Sequence, residues 1–274
     1  MLMDRRDRRP ILLANARIMD PSRNLDIAGD LLLADGVVRE AKRGIGAAGV
    51  PEGTEVVECR GMIVAPGLID MRAFVGEPGA EGRETIASAS QAAAAGGVTT
   101  IVCQPDTEPA IDDPTIVDFI MRRARDTGIV HVHVMAALTK GLNGQEMTEI
   151  GLLKAAGAVG FSDGARSVTN AQVMRRALIY ARDFDALIVH HTEDPDLTGE
   201  GVMNEGEFAA RMGLIGAPKA AETIMLERDM RLVGLTEGRY HAASLTCAES
   251  LDVLRRAKDA GLAVTASALS LIHI

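Results

Sequence analysis

Two rhythms of apolar and polar positions divide the chain. From Ile11 to about Pro66 the apolar runs are short and separated by turn residues: 11–14, 30–33 before the Asp35-Gly36 turn, 56–57 and 62–64. Runs of this kind fit a small β unit. Beyond Gly67, compact apolar runs alternate with longer stretches rich in Ala, Arg and Glu. The pattern predicts strands at 68–71, 98–103, 129–134, 158–161, 186–190, 240–245 and 262–265. Between them it predicts helices at 84–95, 114–126, 146–155, 171–183, 220–236 and 247–260, with Gly96, Gly157 and Gly261 placed to end three of them.

Strand–helix alternation with continuously apolar strands implies parallel β-structure buried on both faces. Seven units in a row favour an α/β fold of the (β/α) barrel type over an open sheet. Such a barrel closes on eight strands. Only seven can be counted before the chain stops at Ser270-Leu-Ile-His-Ile274, so a barrel lacking its eighth strand and truncated at the C-terminus is expected. The expected division is 1–66 for a small β-sandwich portion and 67–274 for the barrel.

Composition narrows the function classes. At 274 residues with 47% hydrophobic and 24% charged residues, the chain has the balance of a soluble globular protein. No apolar run approaches a membrane span, and Met1 to Pro10 lacks the apolar segment of a signal peptide. The three cysteines, Cys59, Cys103 and Cys247, form no C-x-x-C pair, and a reducing cytoplasm is expected; Cys103 and Cys247 are expected as buried structural thiols, the alternative being reactive ones. A net charge of -9 argues against nucleic-acid binding.

Ordered motifs then carry a resemblance. Val64-Ala-Pro-Gly-Leu-Ile-Asp70, Glu77-Pro-Gly79, Arg83-Glu-Thr-Ile86 and Ala94-Ala-Gly-Gly-Val-Thr-Thr100 follow one another along the first third of the chain. Gln104-Pro-Asp-Thr107, Gly157-Ala-Val-Gly-Phe-Ser-Asp163, Val189-His-His-Thr-Glu-Asp194 and Tyr240-His241 continue the series. Together they resemble the dihydroorotase family of the amidohydrolase superfamily from about residue 11 to about 267. The resemblance implies an amidohydrolase-type barrel and the reversible cyclisation of carbamoyl-aspartate to dihydroorotate in pyrimidine synthesis. It also implies zinc, which lowers the pKa of a bound water and polarises the amide carbonyl.

The residues at the implied zinc positions do not follow the family. The strand-one His-x-His is replaced by Arg72 and Phe74; a guanidinium stays protonated and a phenyl ring has no lone pair to give. Gly164 stands for the fourth-strand Asp and Ser244 for the sixth-strand His, leaving His191 as the residual ligand. Gly76 replaces the Arg that clamps the substrate carboxylate, and Asp106 stands at the substrate-binding Asn position. Arg72 is expected to stand in for the metal's charge by pairing with Asp163 or Asp106, the alternative being an exposed loop arginine. His131-Val-His133 falls on the third strand, where no ligand is expected; histidines with hydrogen-bond partners are expected there, and a relocated metal site is the alternative. Glu193-Asp194 is expected to orient its loop.

These losses resemble the metal-site-degenerate, pseudo-dihydroorotase subunits. That resemblance implies a non-catalytic, cytoplasmic and oligomeric chain, without a cofactor, that supports aspartate carbamoyltransferase. An active dihydroorotase with an atypical zinc site, and a fragment without independent function, stay open beside it.

Overall fold

A computed structural model of the chain describes residues 9–268. The N-terminal stretch read for a signal peptide therefore lies outside the described residues up to position 8. Ser270–Ile274, on which the expected truncation rests, lies outside them as well. The chain divides into two compact units, one running up to Ile69 and including Gly97–Thr99, the other taking Asp70–Gly96 and the chain from Thr100 on.

In the first unit, β1 (Ile11–Asp20), β2 (Leu25–Ala34) and β3 (Val37–Lys42) form an antiparallel meander. After the short helix α1 (Ile45–Ala48), β4 (Glu55–Glu58) and β5 (Ile63–Val64) return to pair parallel with β1. A register shift between Leu13 and Ala16 falls at Asn15, whose φ of 59° marks a bulge. Ala16, Ile18, Leu31 and Cys59 form the core of this sheet. Fully burying a side chain such as Ile18 contributes about 1.5–3 kcal/mol.

The larger sheet is curled and seven-stranded. Its elements follow in chain order: β6 (Leu68–Ala73), α2 (Ile86–Ala95), β7 (Val98–Cys103), α3 (Pro114–Thr127), β8 (His131–Ala137), α4 (Ile150–Ala155), β9 (Ala158–Ser162), α5 (Ala171–Asp183) and β10 (Leu187–His191). An excursion follows, made of α6 (Pro195–Thr198), β11 (Met203–Asn204), α7 (Glu207–Met212) and β12 (Gly216–Ala217). The main series resumes with α8 (Ala220–Thr236), β13 (Arg239–Ala243), α9 (Ala248–Asp259) and β14 (Val264–Ala266). Sheet order is β14-β13-β10-β9-β8-β7-β6, so strands consecutive in the main series lie side by side, with β6 and β14 at the edges.

Both faces of the strands are apolar. Val102, Met135, Val189 and Ala243 pack together on the concave side. Phe161, Ile188 and Tyr240, each fully buried, alternate with them. Local chemistry sets the helix ends: Thr85 and Ser88 form a capping box on α2, and Asn170 accepts from Gln172 and Val173 at the start of α5.

Local structure departs from or adds to the pattern in two places. The helix expected from 146 begins at Ile150, because Thr148 donates to Leu138 O from its backbone N–H and to Ala137 O from its hydroxyl, holding the chain against the end of β8. Gly96 ends α2 as expected, at φ -86°, and the left-handed residue is its neighbour Gly97. Residues 195–217, unassigned by their pattern, fold into the α6–β12 excursion.

Candidate functional site

The C-terminal ends of parallel strands, where loops leave room for a ligand, bring the predicted positions together. Arg72 leaves β6 half-buried, and its Nη1 donates to Ser244 Oγ, just past β13, at 2.5 Å. The backbone N–H of Arg72 donates to Asp70 Oδ1. The expected ion pair with Asp163 or Asp106 does not form. Asp163 is turned inward, where its Oδ1 accepts from the N–H groups of Leu138 and Thr139 and its Oδ2 from the Thr139 hydroxyl. Burial pushes the Asp163 carboxyl above the usual range, and those hydrogen bonds work the other way. Asp106 is exposed. Ser244, 8% exposed, sits at φ 57° with its N–H donating to Ser267 Oγ.

The other replaced positions carry no metal donor either. The Phe74 ring lies under the Arg83 guanidinium, 4.2 Å from ring centre to carbon. Gly164 has φ +68°, and a Cβ added there would stand 3.9 Å from the Cβ and Cγ of Asp106. An aspartate at 164 would thus combine a left-handed backbone with a carboxylate neighbour. A Cβ on Gly76 would lie 2.5 Å from Ala80 O and 2.9 Å from Glu84 O, so the backbone of the following turn occupies the space a clamp side chain needs.

His191 Nε2 bonds Glu193 Oε2 at 2.7 Å, and its buried Nδ1 has no partner among the described residues. Asp194 accepts from the N–H groups of Asp196 and Leu197 at the start of α6, so the acidic pair does orient its loop. The preceding His190 points to the opposite face of the sheet. Its Nε2 accepts from Val168 N–H, which leaves the ring proton on Nδ1, facing Asp229 Oδ2 at 2.7 Å. His131 is exposed and His133 half-buried. Neither ring has a hydrogen-bond partner among the described residues, so the partners expected for this pair are not found.

A cleft of ≈ 300 Å³ opens beside β10 and β13, lined by His191, Glu193, Lys219, Glu222, Ser244 and Cys247 among others. Cys103 is buried as expected, and burial pushes its thiol up to about 12; Cys59 is buried as well. Cys247 departs from the expectation: it is half-buried, with Sγ 3.2 Å from Glu222 Oε1.

Glu222 is a residue the pattern reading missed. From α8 it accepts from the Thr246 N–H and hydroxyl and from the Ser250 hydroxyl, closing the start of α9. Burial raises its carboxyl, and the bonds from Ser250, Thr246 and Cys247 outweigh it, leaving the group below its usual range. Glu222→Gln is expected to cost about 1–2 kcal/mol at neutral pH, read as a lower urea midpoint. Since the folded-state value is depressed, that contribution is present above the unfolded value of about 4.3 and is lost as pH falls through the folded one. The variant and parent should therefore converge in acid.

Glu222 and Asp229 stand seven residues apart on α8, in line with the buried stripe of Ala221, Met225, Leu226, Met230 and Val233. Two acids within an apolar stripe are a signal that sequence alone offers.

Zinc can be tested against this donor set. Among the described residues no group of three or more His, Cys, Asp or Glu could hold a metal ion. Where two imidazoles would be needed on β6 there is a guanidinium bonded to Ser244 and a phenyl ring bearing a second guanidinium. These residues do not fit zinc.

The fold places the chain among barrels of the amidohydrolase type. L-Hydantoinase (dihydropyrimidinase) from Arthrobacter aurescens matches with a TM-score of 0.78 at 20% identity, over 94% of this chain and 58% of that one. A D-hydantoinase from Thermus sp. matches at 0.71 and 21%, over 94% and 57%. The family described as Dihydro-orotase-like matches residues 61–250, and the chain belongs to that family. Dihydroorotases from Pelobacter propionicus and Syntrophus aciditrophicus are 43% and 42% identical over 93% of this chain. The chain spans 59% and 60% of their lengths. Among the described residues no helix is long and apolar enough to cross a membrane.

Proposed function

We propose that this chain is a dihydroorotase-type protein of de novo pyrimidine synthesis, acting in the cytoplasm on the carbamoyl-aspartate–dihydroorotate pair. The observation that carries the proposal is the 43% identity to a protein named dihydroorotase over 93% of the chain. The relatives' name backs an active cyclic amide hydrolase and lends no support to a non-catalytic subunit. One observation favours that second reading: Arg72, Phe74, Gly164 and Ser244 offer zinc no donor set. In that form the chain would support aspartate carbamoyltransferase as part of an oligomer.

One experiment separates the two. The full chain is purified without chelator, its zinc is measured by mass spectrometry, and carbamoyl-aspartate cyclisation is assayed before and after chelation. Bound zinc with chelator-sensitive turnover is the result expected of the active reading. Neither zinc nor turnover, with stable co-purification alongside aspartate carbamoyltransferase, is the result expected of the second.

A further inference from the structure

The two positions of the lost His-x-His pair each present a guanidinium. Arg72 provides one directly, and Phe74 provides the other by stacking under Arg83. Arg72 is the penultimate residue of β6 and Phe74 directly follows that strand, so both guanidiniums are held at the same strand end.

Neither guanidinium forms an ion pair among the described residues. Ser244 takes one N–H of Arg72 through Nη1, leaving the Nε–Nη2 edge, whose two parallel donors match a carboxylate. The nearby acids are committed elsewhere or face solvent. Glu81 accepts from Gly79 N–H, Glu84 from the Ser88 hydroxyl, Asp163 from Leu138 and Thr139, and Glu193 pairs with His191. Asp70 accepts from the Arg72 backbone, and Asp106 is exposed. A half-buried arginine held by a neutral hydroxyl costs desolvation that an incoming anion would offset.

The geometry points to a metal-free dicarboxylate clamp at this strand end: Arg72, fixed by Ser244, takes one carboxylate, and Arg83, seated on Phe74, takes the other. The clamp rests on the dihydroorotase reading only for the choice of probe, carbamoyl-aspartate being the dicarboxylate of that pair and dihydroorotate the monocarboxylate.

The test is calorimetric titration of the chelator-treated full chain with N-carbamoyl-L-aspartate, succinate and dihydroorotate. Saturable binding of both dicarboxylates is expected to survive chelation, with dihydroorotate weaker by roughly tenfold or more for want of the second charge-assisted contact. Arg72→Met and Arg83→Met should each weaken carbamoyl-aspartate by roughly tenfold or more, and Arg72→Lys should fall between parent and Met. Arg83 is exposed, so its variant keeps the test open should Arg72→Met fail to fold. Binding abolished by chelator, no saturable binding, or Arg83→Met binding as the parent does would overturn the clamp. Chelator-sensitive binding with turnover would sink the clamp and leave the dihydroorotase reading standing; chelator-resistant binding without turnover would do the reverse for an active enzyme.

Discussion

Replacing Asp229 by alanine is expected to remove about 3–5 kcal/mol of stability, the loss typical when one partner is taken from a buried charged network. Asp229 is fully buried on α8. Its Oδ2 accepts from the Tyr240 hydroxyl at 2.6 Å and bonds His190 Nδ1 at 2.7 Å, and its Oδ1 accepts from Arg228 Nε and Nη2 at 2.9 and 2.7 Å. Arg228 in turn donates to the carbonyls of Val168 and Thr169. The cluster thus ties β10, β13, α8 and the chain entering α5 behind the strand ends. Alanine would take the carboxylate acceptor from the His190 Nδ1–H and the Tyr240 hydroxyl, and leave Arg228 without its carboxylate.

Asp229→Asn keeps the shape and some of the bonds, so a smaller cost of about 1–3 kcal/mol is expected. Urea unfolding of both variants measures the order. Burial raises the Asp229 carboxyl, and His190 and Arg228 more than offset that, holding it below its usual range. Its contribution is therefore present above the unfolded value of about 3.9 and lost as pH falls through the folded one. A gap between parent and Asp229→Ala that stayed constant down to strongly acid pH would contradict this account.

The same cluster shows how far the sequence could be read. Helices α5 and α8 and strand β7 fall where apolar periodicity and flanking residues place them, because local chemistry at Asn170 and a continuous buried stripe decide their ends. The α6–β12 excursion was not legible. Its pieces run two to six residues, too short to carry a period, and their pairing is between segments thirteen residues apart. At the site, the strand ends that carry His191 and Arg72 could be placed, but their partners could not. Ser244 lies 172 residues from Arg72, and it becomes a neighbour only through the curl that brings β6 and β13 to face each other. Asp163 looked available as a partner by position, yet the N–H of Thr139, and that of Leu138 shared with Ser162 O, claim it first at the end of β8. A carboxylate near unpaired backbone donors satisfies those donors before it reaches for a distant cation.

Gly76→Arg, which restores the family's carboxylate arm in sequence, is expected to fail as a restoration. The side chain would start from a Cβ 2.5 Å from Ala80 O and 2.9 Å from Glu84 O, and both are backbone atoms. Ala80 N–H donates to Gly76 O at 2.6 Å, which draws the turn tightly over this position. The turn is anchored beyond it, since buried Glu77 accepts from Ile86 N–H at 3.0 Å and from Arg123 Nε at 2.5 Å. Forcing a side chain into such a place costs about 1–3 kcal/mol or more. Gly76→Ala should show most of that cost, because the collision begins at Cβ. Thermal melts of the two variants test the stability half, and titration with carbamoyl-aspartate tests the other. An Arg variant as stable as the parent that also binds more tightly would show that the turn yields. Arg72 and Phe74 already hold side chains at this strand end, whereas the turn after them has closed over its glycine. If Gly76→Arg fails while substitutions at 72 and 83 change binding, anion recognition at this strand end has passed from the family's clamp position to the two arginines.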